Sequence, residues 1–192
     1  MARAGLSTDR VIAAAADFAD EHGFDSITMS AIARTVGVKD ASLYVHVRNL
    51  HELKSGVAVL SLAELADQVG AALAGRAGKD ALVAFATAYR SYALEHPGRY
   101  EASRMRLAPE VALASAAPRH SAMTRAILRG YDLSETDETD AVRLLHSTFH
   151  GFVSLESSGG FAYTSRPAID SWNRALDALD RTLTHWPEEG VP

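Results

Sequence analysis

ITMSAIARTVGVKDASLYVHVRNLHEL, residues Ile27 to Leu53, decides the fold. Thr28 opens a short helix whose inward face is Ile32, Ala33 and Val36. Gly37 follows and supplies the positive φ that a sharp turn between helices needs. Asp40 is placed to cap a third short helix carrying Leu43, Tyr44 and Val47. Leu43 and Val47 are four apart, so they share the face packed on the rest of the unit. Two short helices joined by a glycine-containing turn are the helix-turn-helix pattern.

Upstream lies one amphipathic helix. Ser7 is its N-cap and Asp9 sits in its first turn, where the helix dipole favours a carboxylate. Val11, Ala15, Phe18 and His22 share one face, and Gly23 ends the helix. Downstream, Asn49 starts a long fourth helix with Glu52 at the capping-box distance. Val57, Leu60, Glu64 and Val69 carry it to about Leu73. Gly75-Arg76-Ala77-Gly78 reads as a linker and as the domain boundary.

The rest keeps a helical period. Leu82, Phe85, Tyr89 and Tyr92 form a stripe that His96-Pro97-Gly98 breaks, with Pro97 placed to start the next helix. Pro118 predicts a bent or split helix between Pro109 and Gly130. Ser134 caps a long helix to about Ser157, stopped by Gly159-Gly160, with Val142, Leu145, Phe149 and Phe152 on one face. Ile169, Trp172, Leu176, Leu179, Leu183 and Trp186 then alternate spacings of three and four, a narrow seam of the kind used in bundles. The expectation is an all-α chain: a three-helix unit over residues 1–50, with the fourth helix running to about 74. A larger helical domain follows over residues 75–192.

Composition narrows the function. The 192 residues contain no cysteine, which excludes disulfides, thiol catalysis and cysteine-based zinc sites. No uncharged apolar run approaches the roughly 18 residues of a membrane span. The first five residues, Met1 to Gly5, lead into no long apolar stretch, so no secretory signal is expected and the cytoplasm is the default. Net charge is −5, which by itself argues against nucleic acid. From Thr28 to Gly56, however, Arg34, Lys39, Arg48 and Lys54 face only Asp40 and Glu52. That local excess suits a DNA surface. The second short helix of such a unit enters the major groove with its exposed N-terminal residues against base edges. Those are Lys39, Asp40, Ala41 and Ser42; Tyr44, His46 and Arg48 follow on the exit side, placed for phosphates.

The order Thr28, Ile32-Ala33, Gly37-Val38, Ser42-Leu43-Tyr44, His46 resembles the DNA-binding domain of TetR-type transcription regulators. The resemblance implies a homodimer that binds a double-stranded DNA operator through a DNA-binding domain over residues 1–50, with an all-helical C-terminal domain over residues 75–192 that takes a small-molecule effector and dimerises. It places Thr28, Tyr44 and His46 on the DNA backbone and Lys39 to Ser42 at the bases; Ser30 joins the same surface. Many members have Phe where Val47 stands here. Many have a phosphate-binding Lys where this chain has Leu50, which leaves Arg48 or Lys54 to supply that contact. Asp40 at the front of the reading helix would repel phosphate and serves as a cap or accepts from a cytosine amine. Phe149-His150-Gly151 is similar to a Trp-His-Gly signature in one branch of the family.

For the effector, Phe85, Tyr89, Tyr92, Tyr100, Met105, Met123, His146, Phe149 and His150 offer apolar walls with a few polar groups. Each one alone also suits an ordinary core. For the dimer face the candidates are Phe152, Leu155, Ile169, Trp172, Leu176, Leu179 and Leu183, although the seam from Ile169 to Trp186 equally suits internal core. His146 and His150, four apart, have the spacing of two metal ligands. No carboxylate pair, nucleophile or phosphate loop accompanies them, so no enzyme, cofactor or metal is expected. A helical small-molecule-binding protein without DNA function is the alternative class.

Overall fold

The computed structural model describes residues 6–187; Met1 to Gly5, where no secretory signal is expected, lie outside the described residues. Among those described, the regular structure is helical throughout. α1 (Thr8–His22) starts where Ser7 Oγ accepts from the Arg10 amide and ends at Gly23, φ +88°. A single 3-10 turn, Phe24–Ser26, leads to α2 (Met29–Val36). Thr28 Oγ1 caps α2 by accepting from the Ala31 amide at 3.1 Å. At its far end Gly37 sits at φ +73°, with its amide on the Arg34 carbonyl and the Val38 amide on the Ala33 carbonyl. That pair of bonds is a Schellman motif, and it satisfies carbonyls that the helix leaves without partners.

α3 is shorter than its sequence suggests. It spans Asp40–Leu43, and Tyr44 to His46 continue as a turn. Lys39, not Asp40, holds the N-cap position, and no side chain caps the helix. Asp40 is the first helical residue and is favoured there through the dipole alone. Val45 and Val47, both β-branched, add little helical preference beyond Leu43.

α4 (Leu50–Leu73) begins where Asn49 Oδ1 accepts from the Glu52 amide at 2.9 Å. The reciprocal half of the capping box is displaced by one residue: the Glu52 carboxylate takes the Arg48 amide. Among the described residues, α4 is the one helix long and apolar enough to cross a membrane by length and composition. Its Leu53, Val57, Ala58 and Val69 are buried, and its Glu64 and Asp67 are ion-paired.

α5 (Gly78–Glu95), α6 (Pro97–Ser103), α7 (Pro109–Ala114), α8 (Ala117–Leu128), α9 (Glu135–Ser157) and α10 (Ala168–Thr184) follow. Pro97 starts α6 as expected. The split between α7 and α8 falls at Ser115-Ala116, with Ser115 Oγ accepting from the Ala117 amide, so Pro118 lies in the first turn of α8. A proline costs little there because first-turn amides have no intrahelical partner. Trp186 lies beyond α10, and its indole N–H donates to Asp137 Oδ1 at 2.9 Å.

Two compact units result, one from residues 6–66 and 95–118, the other from 67–94 and 119–187. The Gly75–Gly78 stretch, expected as the domain boundary, is the turn between α4 and α5 inside the second unit. The chain instead returns to the first unit at α6, where Ala102 joins a core of Val11, Ala15, Ala19, Ile32, Leu43, Leu53 and Val57. The second unit is centred on aromatic rings. Phe149 lies 6.0 Å from Phe85 and from Tyr89 and 5.7 Å from Trp172, and Phe152 lies 4.9 Å from Trp172. Arg90 pairs with Glu156, both largely buried. Tyr131 donates to Asp180 at 2.9 Å; burial first, then that carboxylate, raise its pKa.

The seam on α10 points inward. Trp172, Leu176, Leu179 and Leu183 are buried within the single chain, so they are core and are not free to meet a second protomer. For these four, burial favours core over dimer face, the two readings the seam allows: a narrow apolar stripe looks the same whether its partner is the chain's own α9 or another molecule. Leu155 and Ile169, at 52% and 42% exposed, are the members of that set left on the surface; Phe152 is half-buried against Phe161 and Trp172.

Candidate nucleic-acid interface

The inward side of α3 is settled by Leu43 and Val47, both buried against α1, α2 and α4. Everything out of phase with them faces solvent. Lys39, Asp40, Ala41, Ser42 and Tyr44 are exposed, Tyr44 by 54%. Thr28 and Ser30 are exposed at the start of α2, their hydroxyls 3.5 Å apart. His46 is half-buried, and its carbonyl accepts from Thr8 Oγ1 at 3.1 Å, which ties the end of the α3 turn to the start of α1.

Val45 was passed over in the sequence and is 81% exposed. The signal was present: two residues from both Leu43 and Val47 is about 200° around a helix, the outward side. An isolated exposed aliphatic residue beside Tyr44 gives this surface an apolar point among polar groups.

The two cations considered for the position of Leu50 behave differently. Arg48 is 86% exposed, yet its guanidinium is 3.2 Å from Glu52 Oε1. Hydrogen bonding to Arg48 holds the Glu52 carboxyl below its usual range, and the same pair raises Arg48. Lys54 is turned back: its side chain is only 18% exposed, with Nζ 4.7 Å over the Phe24 ring and 3.5 Å from Asp25. Leu50 itself packs on the core of the unit. Arg48 is therefore the presented cation at this end, and Lys54 supports the fold.

Residues 11–49 match the profile of bacterial regulatory proteins of the tetR family, and residues 82–179 match the tetracyclin repressor-like C-terminal domain. The chain belongs to the TetR family. It is 36% identical over 186 residues to the HTH-type transcriptional regulator Rv0681 of Mycobacterium tuberculosis, covering 95% of this chain and 85% of that one. To YobS of Bacillus subtilis, another HTH-type transcriptional regulator, it is 30% identical over 159 residues, 83% of each chain. Its fold is similar to apo ActR of Streptomyces coelicolor, with a TM-score of 0.71 at 23% identity, covering 96% of this chain and 97% of that one. ActR is also known in complex with (S)-DNPA. The TetR-family chain is thus a DNA-binding transcriptional regulator, with α2 and α3 as its helix-turn-helix.

The residues considered for an effector are distributed over both units of this TetR-family regulator. Tyr100 and Met105 belong to the first unit, Tyr100 buried and Met105 packed against the core that includes Leu43. Phe85, Tyr89, Tyr92, Met123, His146, Phe149 and His150 belong to the second. Phe85, Tyr89 and Phe149 pack on one another, and Phe149 packs on Trp172, whose buried indole N–H donates to no partner among the described residues. His146 Nε2 lies 3.2 Å from the buried hydroxyl of Thr124; burial, then the neighbouring His120, hold its pKa below the ordinary value. Among the described residues no group of three His, Asp or Glu is arranged to hold a metal ion. Gly151 has open space where a Cβ would stand.

Proposed function

We propose that this regulator is a homodimeric repressor that binds a palindromic operator through α3 and leaves it when a small-molecule effector occupies the second unit. One observation carries the DNA half: Lys39, Asp40, Ala41, Ser42 and Tyr44 are exposed together on a helix and turn whose other side is buried by Leu43 and Val47. Lys39 and Ser42 approach base edges, with Asp40 positioned to accept from a cytosine amine. Thr28, Ser30, Tyr44, His46 and Arg48 hold phosphates and fix register.

The effector half rests on the aromatic cluster. An indole N–H left unpaired in an apolar interior costs free energy, and a ligand acceptor would satisfy it. Phe85, Tyr89, Phe149 and Trp172 are the apolar groups that such a ligand, carrying one acceptor, would meet. The dimer forms through Leu155, Ile169 and Phe152, next to Gly151, where a bare backbone permits close approach. A cytoplasmic location follows from contact with DNA.

A gel shift with the DNA flanking the gene tests the first half, beside a Lys39→Ala, Tyr44→Ala double variant. A shift that the variant loses supports the reading. No shift by the wild type at low salt would leave a helical small-molecule-binding protein without DNA function. Operator affinity measured with and without candidate aromatic compounds tests the second half, since an effector acts only through its differential affinity for the two states.

A further inference from the structure

The first unit holds a cleft of about 470 Å³, within the range of roughly 300–1,000 Å³ that small-molecule sites occupy. All the residues that line it belong to that unit. α4 supplies one wall, where Ser55 and Val59 are four apart and share a face with Glu52. Ile12 of α1 and Val111 of α7 add apolar walls, and the buried Val47 adds another. A Cβ on Gly56 would stand 2.6 Å from Ile12 Cδ1, so glycine lets that side chain lie against the α4 backbone. α7 buries no residue fully, so Val111 is not spent on the core. Ile12, Val59 and Val111 are half-buried and open to an apolar guest.

The same lining carries polar groups. Arg48 and His51 are exposed and Ser55 is half-buried. All three can donate hydrogen bonds. Glu52, the acid of the lining, is already engaged, because its carboxylate takes the Arg48 backbone amide as well as the Arg48 side chain. The guanidinium has two edges that can grip a carboxylate. Glu52 holds the edge made by Nε and Nη2, each 3.2 Å from one of its oxygens. A second carboxylate would take the edge made by Nη1 and Nη2, and Glu52 need not be displaced. A cation in the same place would meet Arg48 at close range, with Glu52 already neutralised. Charge and shape together favour an anion with an apolar body.

We propose that this cleft is a second ligand site, separate from the effector site read in the second unit, and that it takes a small monocarboxylate whose charge sits on Arg48. Arg48 is also the cation assigned to DNA phosphate, so one consequence rests on the operator-binding reading above. Ligand and phosphate then want the same edge of one guanidinium, and the ligand competes with DNA inside the first unit itself.

Hexanoate is the probe, with hexanol and hexylamine as matched controls at constant ionic strength. Backbone amides of the full-length protein are followed by heteronuclear NMR, with helicity by circular dichroism as the control for folding. Hexanoate is expected to shift the amides of Ser55, Gly56 and Val111 in one saturable transition, with hexanol weaker and hexylamine weakest. Arg48→Ala is expected to weaken hexanoate at least about tenfold, the worth of a hydrogen bond to a charged group, and to bring it level with hexanol. Ala108→Phe, at an exposed position of the lining, is expected to abolish the transition. Shifts confined to the second unit would overturn the site. Hexanol or hexylamine binding as tightly as hexanoate would overturn the carboxylate assignment.

Competition is read separately, on a duplex carrying half-sites recovered by selection from random DNA. Affinity is measured across salt with hexanoate absent and saturating, and each protein is compared with itself. In the wild type, hexanoate is expected to lower the affinity and to flatten the logarithm of affinity against the logarithm of salt by about 0.9, one phosphate contact. In Arg48→Ala and in Ala108→Phe it is expected to change neither. A saturated cleft with unaltered DNA binding would overturn the competition. A wild type that binds no duplex would overturn the operator-binding reading, while the titration, which needs no DNA, still judges the cleft by itself.

Discussion

Arg48 has two anions to choose between. In the free protein it pairs with Glu52; under the proposed reading, a phosphate would compete for the same guanidinium on DNA. If Arg48 reaches phosphate, Arg48→Ala should make the logarithm of operator affinity less steep against the logarithm of salt by about 0.9, one contact's worth. An unchanged slope would place Arg48 outside the interface. His146 sets a second expectation at this scale. Its pKa is held below the ordinary 6.5, first by burial and then by His120. The folded state therefore takes up this proton less readily than the unfolded state. The stability it contributes is present above the ordinary value and is lost as pH falls through it toward the folded pKa. His146→Gln should flatten the urea midpoint against pH in that acid window and leave it unchanged above; a slope equal to the wild type's would remove His146 as the cause. Residue identity announced much of the surface here. Thr28, Lys39, Ser42 and Tyr44 were readable from the motif. The retraction of Lys54 over Phe24 was not, because it depends on Asp25 lying 29 positions away in sequence and close in space.

At the scale of elements, caps were legible and lengths were less so. Ser7, Thr28, Asn49 and Ser134 each accept a backbone N–H where their residue type predicts one. α3 fell short of its expected length because a single turn has little to hold it except Leu43 and Val47. Gly37 joins α2 to α3 at φ +73°. Gly37→Ala has open space for its methyl but must adopt a left-handed backbone, at a cost of about 1 kcal/mol. Chemical denaturation should register that loss, and operator affinity should fall with it if the angle between α2 and α3 changes. No change in either would mean that the turn relaxes freely. α6 was expected to start at Pro97, and it does. Its membership of the first unit was invisible, because Asp17 and Asp20 lie about eighty positions before Arg99 and nothing local pairs them.

At the scale of the molecule, the proposed dimer face rests on two of the apolar groups that folding leaves exposed. Leu155 and Ile169 remain outside while Trp172, Leu176, Leu179 and Leu183 are spent on the interior. Leu155→Glu with Ile169→Glu is expected to give a folded monomer by sedimentation, with operator affinity reduced because each half-site is then bound separately. A folded dimer of unaltered affinity would move the interface elsewhere. Local sequence carries the class and the helix-turn-helix: helical period throughout, a glycine turn between two short helices, and side chains whose phase puts polar groups outward. These are local properties, set by spacings of three and four residues and by caps. Long-range packing is what returns 95–118 to the first unit, makes core of the α10 seam and joins Arg99 to carboxylates of two other helices. Each of those depends on which apolar stripe or charge meets which partner across long stretches of chain, and a stripe or a charge looks the same in sequence whatever it meets.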